Sequence, residues 1–333
     1  MRPKELFELL KVTIKAGLPV LIKGAPGVGK TDVGKQATEA VGAGLYIFHP
    51  AVSDPCDYKG QPAVVKGKDG KMTAEFLPYG DLRALIEVTR PTVAFIDDLG
   101  QAPAVVQAAA MQLILGRRVN GHRISDEVVF IAATNRREDR AGVTGILEPV
   151  KSRFATIVEL EVHVDDWCAW ALRNNVPSEL IAFIRFRPQL LMTGFATNDI
   201  VNHPCPRTVT FAGKLFSAGL RSHEALKGAV GDGFASEFLG FVKVWESLPS
   251  LDGILLDPIA ASVPTEPAAV FAVAVGLARL TTSQNAARVV KYAQRLPEEF
   301  GVLCVRDALR VCPQTSNNRE FIEWATDHQE ALL

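Results

Sequence analysis

Two kinds of hydrophobic patterning divide this chain. Over residues 1–163, short and nearly unbroken apolar runs alternate with stretches in which apolar residues return every three or four positions. The runs at 19–24, 45–51, 92–98, 128–134 and 156–162 predict strands. The third and fourth are apolar almost throughout, as strands covered on both faces of a parallel sheet are. Helical spacing falls at 4–16, 30–41, 81–89 and 103–116. Short connections between alternating strands and helices predict an α/β fold on a five-stranded parallel sheet. Two hairpins interrupt the alternation. Residues 62–65 and 72–76 flank Asp69-Gly70, and 118–119 and 122–124 flank Asn120-Gly121, dipeptides that tolerate the positive φ of tight turns.

Beyond residue 163 the strand pattern stops. Helical spacing continues at 166–174, with Asp165 as its cap, and at 178–191, 207–220 and 234–248. A connector rich in Pro, Asp and Gly, 249–267, leads to helices near 268–281, 284–295, 298–311 and 318–331. The expected organisation is a core at 1–163, a helical lid at 164–248 and a C-terminal helical extension at 249–333. A chain of 333 residues is long enough to give each its own core.

The chemistry concentrates in Gly24-Ala25-Pro26-Gly27-Val28-Gly29-Lys30-Thr31, which meets every requirement of a phosphate-binding loop. The glycines let backbone N–H groups approach phosphate oxygens, Lys30 reaches the β- and γ-phosphates, and the Thr31 hydroxyl holds Mg²⁺. A strand before it and a helix after it aim the helix N-terminus at the phosphates, with Asp32 in the first turn. The reading is a site for a nucleoside triphosphate. The strand Val93-Ala94-Phe95-Ile96 ends in Asp97-Asp98. At that end, where the chain begins to turn, both carboxylates can face the nucleotide crevice, Asp97 for Mg²⁺ and Asp98 for the attacking water. Asn135, closing the next strand, offers an amide to the γ-phosphate or to that water; a simple turn Asn is the alternative.

Charge narrows the field. The halves 1–163 and 164–333 carry +2 and −3, and no basic block appears, which argues against indiscriminate nucleic-acid binding. Met1-Arg2-Pro3-Lys4-Glu5 opens a charged amphipathic helix rather than a signal peptide, and the longest apolar run, 268–278, is too short for a bilayer. Five cysteines without a CxxC pair fit a reduced, cytoplasmic setting with no membrane association and no metal cluster.

Taken in order, the phosphate loop, the acidic strand end, Ala132-Ala133-Thr134-Asn135, Lys151-Ser152-Arg153-Phe154 and Pro206-Arg207 resemble an AAA+ ATPase. Within that family the chain is similar to the MoxR branch. The stretch from Asp54 to Pro62 and its hairpin (about 54–79) resemble the helix-2 insertion of that clade, and Arg118 to Ile124 its second hairpin. The resemblance covers about residues 1–220. It implies ATP with Mg²⁺, Asn135 as sensor 1, Arg153 as an arginine finger reaching a neighbouring subunit's nucleotide, and Arg207 as sensor 2. Arg136, Arg137 and Arg140 compete for the finger role. It also implies a ring, usually a hexamer, that remodels or activates a protein complex with a von Willebrand factor A domain partner. One departure stands out: the second carboxylate of the motif is usually Glu, and here it is Asp98, one methylene shorter, which predicts slow turnover. An ATP-gated assembly switch, a nucleic-acid-directed loader and a small-molecule kinase are the alternatives.

Overall fold

Five parallel strands form the sheet of the first half. They are β1 (Val20–Gly24), β2 (Gly44–Phe48), β5 (Thr92–Ile96), β8 (Val128–Thr134) and β9 (Thr156–Leu160), in the spatial order β2-β5-β8-β1-β9. The computed structural model describes residues 1–67, 70–139, 145–193, 199–248 and 250–328. Every residue of β5 and β8 is buried, as their unbroken apolar runs require. Helices α1 (Pro3–Lys15), α2 (Lys30–Ala40), α3 (Pro55–Lys59), α4 (Gly80–Ile86), α5 (Ala104–Ile114) and α6 (Glu148–Lys151) accompany the sheet. Helix α2 lies so close to β5 that a β-carbon on Gly34 would overlap the Phe95 ring. Gly34→Ala should therefore cost about 1–3 kcal/mol by overpacking. Denaturant unfolding would measure it, and an unchanged midpoint would show that α2 shifts freely on the sheet.

The first hairpin is β3 (Gln61–Lys66) paired with β4 (Met72–Leu77), and its Asp69 lies outside the described residues. Both strands are largely exposed, and Val64, Met72, Phe76 and Leu77 are presented to solvent. The second hairpin joins β6 (Arg118–Val119) to β7 (His122–Arg123). Its turn residues Asn120 and Gly121 both have positive φ, 46° and 86°, as the dipeptide predicts. The strand containing the two aspartates stops at Ile96, two residues earlier than its pattern suggests.

The chain divides into two compact units, Met1–Glu161 and Val162–Leu333. The second is helical: α7 (Val164–Arg173), α8 (Ser178–Phe186), α9 (Pro206–Ser217), α10 (His223–Val230), α11 (Asp232–Glu246), α12 (Leu251–Leu256), α13 (Pro267–Arg279), α14 (Ala286–Ala293), α15 (Glu298–Val311) and α16 (Arg319–Asp327). It holds two apolar clusters that share α13. Ala272 and Val275 complete the first, while Val273, Ala274 and Leu277 belong to the second. A helix apolar on all sides is built for such a position.

Three local readings differ. The cap of α7 is His163, whose Nδ1 accepts the Asp166 N–H, so Asp165 sits inside the first turn instead. The apolar stretch at 178–191 is two elements, because Pro188 ends α8 and a 3-10 turn, Pro188–Leu191, follows. Helices α10 and α12 are additions. The second lies in the stretch read as connector, where the Ser250 hydroxyl accepts the Gly253 N–H at 3.3 Å and caps it.

Candidate active site

The phosphate loop connects β1 to α2 at the carboxyl edge of the sheet. Gly27 and Gly29 have φ of 73° and 103°, a region that residues with a β-carbon enter only under strain. Gly29 is the N-cap of α2 and no side chain caps that helix. A helix start left uncapped behind a glycine-rich loop fits an anion supplied from outside. Val28 is buried, and Asp32 is exposed on α2 without a bond to the loop. Pro26 is exposed at the tip, while Gly24 and Ala25 turn their carbonyls inward.

Lys30 is nearly buried, and its ammonium donates to Gly24 O at 2.9 Å, Ala25 O at 3.0 Å and Asn135 Oδ1 at 2.6 Å. The Asn135 bond crosses from the start of α2, just after the loop, to the end of β8, the strand beside β1 in the sheet. Because a lysine can only donate, Oδ1 must face it, which turns Nδ2 toward Asp98 Oδ1 at 3.3 Å. Asn135 thus joins the loop lysine to the acidic strand end.

The acidic pair is split between two tasks by one backbone angle. Asp98 has φ 55°, in the left-handed region that Asp tolerates better than most residues. This twist leaves both carboxylates on the same side, although neighbours in a strand would diverge. Asp97 Oδ2 accepts the Thr31 hydroxyl at 2.9 Å, and its Oδ1 accepts the Asp98 N–H at 3.1 Å. Asp98 Oδ1 accepts both Asn135 and the Gln101 amide, the latter at 2.8 Å. No described residue bonds its Oδ2. Gln101 was not foreseen from the sequence. Its only signal is its place three residues after Asp98, where a 3-10 turn (Leu99–Gln101) brings it back. Its Oε1 is buried without a partner beside the acidic pair.

The structure therefore brings together Lys30, Thr31, Asp97, Asp98 and Asn135. Arg136 is committed to a bidentate bond with Asp139 and to Glu159, and it holds the Asp139 carboxyl below the usual range. Arg137 is exposed, and Arg140 lies outside the described residues. Arg153 follows α6; its Nη1 donates to Pro149 O at 2.5 Å, and its Nε is buried with no partner. Arg207 is in the helical unit, exposed at the start of α9.

With this geometry in view, residues 19–154 match the family described as AAA domain (dynein-related subfamily). Residues 19–154 are an AAA domain. It is the nucleotide-binding module of an ATP-hydrolysing enzyme, and the sheet and loop described above are its P-loop fold. A search of the curated proteins found no match. Among solved structures, RuvB of Thermotoga maritima, titled a Holliday junction branch migration motor, is similar at 16% identity and TM-score 0.40, covering 83% of this chain and 80% of that one. A putative ATPase from Cytophaga hutchinsonii is similar at 14% identity and TM-score 0.33, covering 90% and 79%. Likeness of this order says nothing of substrate. Among the described residues no helix is long and apolar enough to cross a membrane.

Proposed function

We propose that this chain is a MoxR-like AAA+ ATPase that hydrolyses ATP in a ring of identical subunits to remodel or activate a partner protein complex. The observation that carries the nucleotide site is the convergence of Lys30, Thr31, Asp97, Asp98 and Asn135 at the carboxyl ends of β1, β5 and β8. Lys30 serves the β- and γ-phosphates, exchanging its bond to Asn135 for a phosphate oxygen. The Thr31 hydroxyl and the Asp97 carboxylate would hold Mg²⁺, which supplies charge neutralisation at the phosphates. Asp98 Oδ2, unbonded while Oδ1 is held by two amides, takes the proton of the attacking water. Asn135, freed from Lys30, positions that water or the γ-phosphate. Arg153 is the finger for a neighbouring subunit's nucleotide, and Arg207 the γ-phosphate sensor within its own subunit.

The segment from Asp54 to Pro62, leading into the exposed β3–β4 ribbon, and the β6–β7 hairpin just before β8 support the MoxR branch. On that reading the apolar ribbon surface of Val64, Met72 and Phe76 meets the substrate, and a von Willebrand factor A domain protein is the working partner. A hexamer and a cytoplasmic setting belong to the same reading.

The test is ATP turnover per subunit during dilution, with Asp98→Asn alongside. A ring completed by Arg153 in trans loses turnover per subunit as it dissociates. Asp98→Asn should keep ATP binding and lose roughly 10²-fold or more of the rate. A variant as active as the wild type would remove Asp98 from the chemistry. ATP binding without turnover in the wild type would favour the assembly switch, for which the shortened carboxylate is the specific argument.

A further inference from the structure

On the reading of Asp98 as the base that takes the water's proton, we propose that Gln101 is a positioning residue of the same site. It holds the Asp98 carboxylate in place while the triphosphate is cleaved.

Asp98 has two side-chain donors, Gln101 Nε2 at 2.8 Å and Asn135 Nδ2 at 3.3 Å, and both reach the same oxygen, Oδ1. They differ in what else they do. Asn135 Oδ1 accepts the Lys30 ammonium at 2.6 Å, so a phosphate that draws Lys30 away also frees Asn135 to turn. Its longer bond to Asp98 is then the one that gives. Gln101 has no such tie. Its Nε2 donates to Asp98, and no described residue bonds its buried Oε1. An amide placed for stability would satisfy both ends, because a buried polar atom left unpaired loses its hydration without replacement. The orientation of this one follows from Asp98, since an ionised carboxylate can only accept.

The backbone keeps Gln101 there. Its 3-10 turn is anchored by Leu99 and by Ala102 just after it, both fully buried, and the Gln101 N–H donates to Asp98 O at 3.0 Å. Gln107 on α5, 1% exposed, donates to Ala102 O at 3.0 Å and to Gly145 O at 2.8 Å, fixing the far end of the turn. None of these bonds involves Lys30 or Asn135, so the turn can stay while those two rearrange. The terminal torsion of an aspartate is otherwise broad. The donor on Oδ1 therefore decides where Oδ2, the oxygen left for the water, points.

The experiment compares Gln101→Met, Asp98→Asn and the double variant. Each is measured for ATP affinity by calorimetry and for turnover at saturating ATP, at protein concentrations where turnover per subunit no longer rises. Met matches glutamine in length and cannot donate. Gln101→Met should lower kcat by roughly tenfold or more, with the ATP Kd within about twofold of wild type. Added to Asp98→Asn, it should lower the rate by less than about twofold, because the carboxylate it positions is gone. Gln101→Leu, also unable to donate but different in shape, should behave like Gln101→Met. An unchanged kcat in Gln101→Met would overturn the proposal, as would a loss confined to ATP affinity. So would the same fractional loss in both backgrounds, which marks a purely structural role. Asp98→Asn as active as wild type would instead remove the base on which the role of Gln101 depends.

Discussion

Replacing Lys30 with alanine is expected to drop ATP turnover to the blank rate, a loss of roughly 10²-fold or more, with the helical content unchanged. The size of the effect follows from where the ammonium sits. It is nearly buried, held between the inward carbonyls of Gly24 and Ala25 and bonded to Asn135, so it is aimed before any phosphate arrives. Alanine removes the one buried cation of the loop. It also takes from the γ-phosphate the donor that would stabilise the charge developing there during hydrolysis. Both the binding of the triphosphate and its hydrolysis should suffer, whereas Asp98→Asn should affect the second alone. Phosphate release and ATP titration on both variants would separate them. Turnover in Lys30→Ala within tenfold of wild type would mean that hydrolysis does not occur at this loop.

The site was legible in the sequence to the extent that its geometry is carried by short segments. The loop, the acidic strand end and Asn135 each sit at the carboxyl end of a strand with unmistakable apolar patterning, and parallel neighbours bring such ends together. What stayed hidden was the set of bonds among them. That Asn135 bridges Lys30 to Asp98 depends on β8 lying next to β1, a matter of sheet order that spacing does not encode. The left-handed angle at Asp98, which brings both carboxylates to one side, is a local cost tolerated within a tertiary setting. Gln101 joins the cluster only because a single 3-10 turn doubles the chain back on Asp98.

In the helical unit the long amphipathic helices were readable from their spacing, and the short ones were not. Eight residues at His223–Val230 and six at Leu251–Leu256 give too few turns for a period to declare itself. Their stability comes from the apolar face each buries, Leu226 and Val230 in one and Ile254 in the other, together with serine caps. Arg185 shows the other limit. In sequence it is a basic residue near the end of an amphipathic helix, indistinguishable from a solvated charge. Its burial against Asp307 depends on α15, more than a hundred residues away.

Asp307→Asn should be the most damaging single change in the helical unit, costing about 3–5 kcal/mol of its stability, or roughly 6–20 °C in its midpoint. The reason is asymmetric. The pair Arg185–Asp307 is almost wholly buried, so its net contribution over an apolar pair of the same shape is small. Removing the carboxylate is different, because a guanidinium cannot shed its proton and stays charged in a medium that solvates it poorly. Arg310 loses its partner as well, but it is partly exposed and water compensates it. Arg185→Met should cost less than Asp307→Asn, since Asp307 keeps Arg310 and no unpaired charge remains. Denaturant unfolding of the two variants gives the comparison directly. If Asp307→Asn lost under 1 kcal/mol, the remaining surroundings of Arg185 would be compensating its charge well enough to replace a carboxylate. The opposite ordering of the two variants would mean that the arginine's packing, rather than charge compensation, carries this part of the core.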